Sequence, residues 1–246
     1  VVVSDPASSS GGWRTAEVAA PYLQSRETVI PMLGVMEDLV ARLLRRAPRP
    51  IARFLDLGCG GGAMSALVRA TVPGADAVLV DFSEPMLAEA ERRGGGAAGW
   101  QVVRGDLSDP GWREGLPGGR YDAVVSGLAI HHLPGERKRA LFGEVHELLE
   151  PGGLFVNMDY VTQPGPLAGL WDEEMLAAAT RDEHAHGRHR DPEEVEQDLF
   201  DDSEEDQPDT AEDQIAWLRE TGFDPADVYF KWAEAAVFGG LRPAAR

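Results

Sequence analysis

Phe54-Leu55-Asp56-Leu57-Gly58-Cys59-Gly60-Gly61-Gly62 decides the fold. A short apolar run leads into glycines at 58, 60 and 62, and Ala63–Thr71 then takes up a helical pattern. Residues without a Cβ allow a tight turn and let a ligand approach the backbone closely. The helix start beyond them leaves backbone N–H groups unpaired. Working outward, residues 75–82, 99–106, 121–127 and 153–160 resemble the first run at 51–58. They are short, rich in β-branched residues and almost continuously apolar, as strands buried on both faces of a parallel sheet are. Helical patterns occupy Ala63–Thr71, Glu84–Arg93 and Glu136–Glu150, the last with Leu141, Phe142, Val145, Leu148 and Leu149 on one face. Pro151-Gly152-Gly153 is expected to stop that helix. Strand–helix alternation at this spacing gives right-handed βαβ units and a doubly wound α/β sheet. A helix over Thr210–Thr221 and two strands, at 224–231 and 233–239, add a C-terminal antiparallel hairpin. The expected sheet is seven-stranded and mostly parallel.

The rest of the chain is organised around that core. Residues 1–15 read as a flexible tail and 16–50 as an N-terminal helical lid. Residues 51–162 and 211–246 form the α/β core, and 163–210 is a helical and acidic insertion over the substrate side. In the lid, Val29, Met32, Leu33, Met36, Leu39, Val40, Leu43 and Leu44 recur at helical spacing until Pro48 and Pro50. That stripe suits core packing or contact with a second copy in a homodimer.

Composition excludes several classes. Of the 246 residues, 43% are hydrophobic and 26% charged, which is enough apolar material for a core. No apolar run approaches the roughly 18–20 residues of a membrane span. The start lacks the basic and apolar regions of a secretory signal. One cysteine, Cys59, rules out an internal disulfide. A cytoplasmic protein with no membrane partner is therefore expected. The 23 basic and 42 acidic residues give a net charge of −19. Asp191–Asp213 alone holds 13 acidic residues and no Lys or Arg, so the remainder carries only −6. Binding nucleic acid relies on clustered positive charge, and no such partner is expected.

The candidate site begins with Asp81, which ends the second strand 19 residues after Gly62. A carboxylate there can accept hydrogen bonds from both hydroxyls of a ribose. The spacing G-x-G-G-G departs from the G-x-G-x-x-G of dinucleotide sites. Together, FLDLGCGGG, VLVDFSEPML, RGDLSD, YDAVVSGLAIHHL and LLEPGGLFV resemble the class I S-adenosylmethionine-dependent methyltransferases, over Phe54–Tyr160. The resemblance implies S-adenosyl-L-methionine as cofactor and methyl transfer to a small-molecule acceptor, at an O, N or C atom. It implies that Asp56, Gly58 and Gly60 hold the amino-acid end, and that Asp81 holds the ribose with Phe82 and Met86 beside it. Asp106 would meet the adenine amino group and Leu107 its ring, while Ser126 and Gly127 would line the methionine portion. From position alone, Tyr22 and Arg26 on the lid could touch the cofactor's carboxylate.

His131 and His132 follow the fourth strand, where the methyl would be transferred, and are candidate general bases or loop-ordering residues. His184, His186 and His189 near Asp182 and Glu183 have the makings of a metal site, but a solvated loop weighs more and no metal is assigned. Two other readings stay open. PYLQSRETVIPMLGVM has a faint likeness to carboxy-S-adenosylmethionine synthase, and a non-catalytic cofactor-binding regulator would share the same core.

Overall fold

The computed structural model describes residues 30–166, 168–185, 187–191, 193–196 and 206–244. Seven strands form one sheet in the order β3-β2-β1-β4-β5-β7-β6. They are β1 (Arg53–Leu57), β2 (Asp76–Asp81), β3 (Trp100–Arg104), β4 (Tyr121–Gly127), β5 (Leu149–Tyr160), β6 (Ala226–Trp232) and β7 (Ala235–Leu241). β1 to β5 pair in parallel, and β7 joins β5 and β6 antiparallel. The order reverses between β1 and β4, and in such sheets the crevice beyond the strand ends at this switch point is where ligands bind.

The helices include α1 (Leu33–Arg45), α2 (Ala63–Thr71), α3 (Glu84–Gly94), α4 (Gly135–Leu148), α5 (Ala168–Ala185) and α6 (Ala211–Glu220). Alternate strand residues sort into two cores, as a pleat with both faces buried requires. Phe54, Ala123 and Val125 face Met36 and Val40 of α1 and Met64 and Val68 of α2. Leu55, Leu57 and Val124 face Leu141 and Val145 of α4 and Ile215 and Leu218 of α6. Caps fix two helix starts: Ser83 Oγ accepts from Met86 N–H at 3.4 Å, and Thr210 Oγ1 accepts from Asp213 N–H at 3.0 Å. At the starts of β1 and β4, Asp122 accepts from Ala52 and Arg53 N–H at 2.9 and 3.0 Å and pairs with Arg49 at 2.7 Å.

Two sequence expectations change. α4 already ends at Leu148, ahead of Pro151-Gly152-Gly153, and β5 crosses these residues as a bulge, with Leu149 opposite Tyr121, Leu154 opposite Ala123 and Gly152 at φ 78°. Their backbone is used by the sheet, since Gly152 N–H donates to Arg242 O at 2.8 Å and Arg242 N–H to Gly153 O at 2.9 Å. In the N-terminal segment, α1 starts only after Met32, which sits at φ 61°, and its stripe Leu33, Met36, Val40, Leu44 is buried in the core. The tail and the lid residues before 30, Tyr22 and Arg26 included, lie outside the described residues.

The insertion has a tied neck. Thr162 and Thr210 form a parallel bridge, and Thr162 N–H donates to Asp209 O at 3.2 Å.

Candidate active site

The glycine loop closes over the ends of β1 and β2. Gly58, Gly60 and Gly62 have φ of 61°, 49° and 77°, a left-handed region costly for residues with a Cβ. At Gly58 contact adds to conformation: a Cβ would stand 2.3 Å from Ala129 Cβ. Ala129 is placed there by Leu128, itself at φ 56°, whose N–H donates to Met158 O at 2.8 Å. The loops after β1 and β4 therefore touch across the switch point.

Asp81 lies at the rim of this contact, 7% exposed. Its Oδ2 accepts from Gly60 N–H at 2.8 Å and its Oδ1 from Ser83 N–H at 2.9 Å. Burial pushes its carboxyl upward, and the N–H donors of Ser83, Gly60 and Phe82 hold it down in part. A carboxylate has about four acceptor sites, so with three backbone donors on it Asp81 keeps acceptor capacity for a ribose hydroxyl. Half-buried Phe82 follows it, and Met86 Sδ is 3.9 Å from where a Cβ on Gly60 would be. Leu107 completes this side, its Cδ1 3.8 Å from the Cβ position of Gly58. Leu107 O accepts from Arg137 Nε at 2.7 Å, and Glu144 grips the same guanidinium at 2.8 and 2.9 Å. Asp106 is half-buried, and its Oδ1 accepts from Ser108 N–H at 3.0 Å and Ser108 Oγ–H at 2.6 Å. The donor and acceptor set, an open glycine backbone beside a carboxylate with acceptor capacity and an apolar wall, fits S-adenosylmethionine.

Two of the expected residues sit deeper than this rim. Asp56 is fully buried and accepts from Ser65 Oγ–H at 2.6 Å, bracing the loop from behind. Ser126 is also fully buried, and its hydroxyl donates to Leu57 O at 2.9 Å, tying β4 to β1. Gly127 keeps the strand end close to Met64, whose Cε would be 3.0 Å from a Cβ there.

Opposite the cofactor side, the histidines meet partners from far along the chain. His131 Nδ1 is 2.5 Å from Asp159 Oδ1, and Asp159 also accepts from Asn157 Nδ2 and Tyr160 N–H, each at 3.0 Å. Asp206 Oδ1 stands 2.9 Å from His132 Nδ1 and 3.4 Å from His131 Nε2. Burial pushes the His131 imidazole down, but the carboxylates of Asp159 and Asp206 outweigh it and lift it to about 9. Asp206 is itself held well below the usual carboxylate range: burial raises it, and the two histidines more than offset that. His131 is thus held between two carboxylates, Asp159 at Nδ1 and Asp206 facing Nε2. Lys138, fully buried on α4, anchors the incoming segment by donating from Nζ to Gln207 O and, at 2.6 Å, to Asp209 Oδ2.

Asp159, Asp206 and Lys138 had not been singled out from the sequence. A signal existed for Lys138, which shares a helical stripe with Leu141, Phe142 and Val145. The other histidine group assembles only in part: the His184 and His189 rings are 5.2 Å apart, and His186 lies outside the described residues. A cavity of about 330 Å³ lined by Arg53, Asp76, Gly99 and Gln101 lies at the opposite ends of the strands and contains none of these residues. No helix among the described residues is long and apolar enough to cross a membrane.

Comparison with known proteins agrees with this geometry. Residues 54–153 match the family model described as a methyltransferase domain. Demethylmenaquinone methyltransferase of Thermus thermophilus is 34% identical over 130 residues, 52% of this chain and 54% of that protein. Trans-aconitate 2-methyltransferase of an Acidovorax strain is 33% identical over 151 residues, 61% of this chain and 53% of that protein. The chain thus spans about half the length of the curated relatives it matches. The crystal structure of human N-acetylserotonin methyltransferase in complex with SAM superposes with a TM-score of 0.58 at 16% identity, over 95% of this chain and 58% of that one, a likeness of fold. The glycine loop and the acidic end of the second strand both lie within residues 54–153, the stretch of this chain that matches a methyltransferase domain.

Proposed function

We propose that the chain binds S-adenosylmethionine over the ends of β1, β2 and β4 and transfers its methyl group to a small-molecule acceptor held beneath the insertion. The observation that carries this reading is the convergence of Gly58, Gly60, Asp81 and Leu107 at the switch point, within the matched stretch. S-adenosylmethionine brings a methyl group already activated on a sulfonium. The protein's part is then orientation and exclusion of water. Asp81 accepts a ribose hydroxyl, Leu107 backs the adenine with Asp106 at its edge, and the backbone at Gly58 to Gly60 meets the amino-acid end. Asp56 and Ser126 hold that backbone in place. The relatives are named for demethylmenaquinone and trans-aconitate, which share no acceptor group but are both small molecules. The acidic insertion fits this class of acceptor better than a nucleic acid. Cytoplasmic residence belongs to the same reading, since a chain with one cysteine, Cys59, makes no internal disulfide. A dimer is not carried into the proposal, because α1 uses its apolar stripe on the sheet.

Thermal unfolding tests it. S-adenosylmethionine or S-adenosylhomocysteine at 100 times its dissociation constant stabilises by about 2.7 kcal/mol, or roughly 5–10 °C for a domain of this size. Both ligands should give that shift, NAD should give none, and Asp81→Ala should abolish it while unfolding as cooperatively as the parent. A shift with NAD, or an Asp81→Ala protein that still responds fully, would overturn the assignment of this site.

A further inference from the structure

We infer that His131 Nε2, His132 Nδ1 and Asp206 Oδ1 form a binding site for one divalent transition-metal cation beside the proposed methyl-transfer site. All three atoms lie within 4.8 Å of one another, and no other group of three such donors occurs among the described residues. Asp206 Oδ1 is 2.9 Å from one imidazole nitrogen and 3.4 Å from the other. Around an ion with bonds of about 2.0–2.2 Å, adjacent ligand atoms stand roughly 3–3.5 Å apart, so the two distances from Asp206 leave room for one ion with only small shifts of the side chains. Two imidazoles and one carboxylate suit borderline cations such as zinc, cobalt, nickel or iron(II), and select against calcium and magnesium, which favour oxygen.

The surroundings are organised as a metal's outer shell is. Asp159 holds His131 at Nδ1, which turns Nε2 toward Asp206. A carboxylate on the far nitrogen fixes the tautomer and the ring plane of a ligating histidine. Asp159 is itself held by Asn157 and the Tyr160 N–H. Asp206 is held through its neighbour: Gln207 N–H donates to His131 O at 2.9 Å, and Lys138 grips Gln207 O. Two carboxylates flank a single imidazole, and Glu234 lies close enough to feel the negative charge of Asp206 and of Asp172, with Lys231 offsetting part of it. A cation bound at Nε2 would neutralise that surplus and leave the Nδ1 bond to Asp159 intact. Three protein donors also leave coordination positions open, which suits an acceptor that presents a hydroxyl or carboxylate oxygen. This last step rests on the proposed methyl transfer; the cation site does not.

The test uses the full chain, stripped with a chelator and titrated with Co²⁺ at pH 7.5. Binding is followed by calorimetry and by the visible absorption of the ion, and S-adenosylhomocysteine stabilisation is measured on every sample. One Co²⁺ per chain is expected, with a dissociation constant of about 10 µM or tighter. Asp206→Asn and His132→Gln should each weaken it at least about tenfold, while His189→Ala, at the other histidine pair, should leave it unchanged. Absence of binding below about 100 µM would overturn the inference, as would binding that survives both variants or is lost in His189→Ala. Should S-adenosylhomocysteine still stabilise the chain in any of those cases, only the cation site falls and the methyl-transfer reading stands.

Discussion

Gly58→Ala is expected to destabilise the fold by about 2–5 kcal/mol. The left-handed conformation contributes about 1–2 kcal/mol and overpacking about 1–3 kcal/mol more. The clash is with Ala129 Cβ at 2.3 Å, and neither methyl has a rotamer to escape through. Relief must come from the backbone at Leu128 and Ala129, where Leu128 is already at φ 56°. Gly60→Ala is the matched control. At φ 49° it meets only Met86 Sδ, at 3.9 Å, so its cost is conformational. Urea unfolding of the two variants should place Gly58→Ala well below Gly60→Ala. Equal midpoints would show that the contact between the two loops is not as close as described.

Lys138→Met is the second large effect, expected to cost about 1.5–3 kcal/mol, the range for a hydrogen bond to a charged group, because Asp209 is 29% exposed and regains water when its partner is lost. Methionine preserves the packing of the stem but leaves Gln207 O and Asp209 Oδ2 without their donor. Because Gln207 N–H also bonds His131 O, release should spread to the loop after β4. Hydrogen exchange should show faster exchange at Gln207, Thr210 and Leu133, with β1 to β3 unchanged. A loss of stability spread evenly over the sheet would contradict a role in anchoring this segment.

The cofactor half of the site was legible because its determinants are local. Strand β4 falls on 121–127 and helix α2 on 63–71, as their patterns indicate, and glycine loop, acidic strand end and following helix lie close together in sequence. The opposite half depends on partners the chain brings together only on folding. Within the acidic run, Asp206 and Asp209 look like any other solvated carboxylates, yet one faces two histidines and the other a buried lysine. Counting charge measures the surplus, not the pairing. Lys138 was hidden between Arg137 and Arg139 as part of a basic cluster, although its helical phase puts it on the apolar stripe. Pro151-Gly152-Gly153 misled for a related reason: composition marks a turn, but Arg242, far downstream, recruits the same backbone into the sheet.

The position of β7 bears on how the molecule is made. It is later in the chain than β6, yet it lies between β5 and β6 and pairs with both. During synthesis, β5 therefore has one parallel partner and one open edge until residues 235–241 emerge. β6 leaves the ribosome earlier but has no place to dock until the same moment. An open, apolar strand edge is a template for pairing with other chains. The interval between β5 and β7, which includes the whole insertion, is thus the period in which a nascent chain is most exposed to association with its neighbours. A chain ending before Ala235 would carry that exposure permanently.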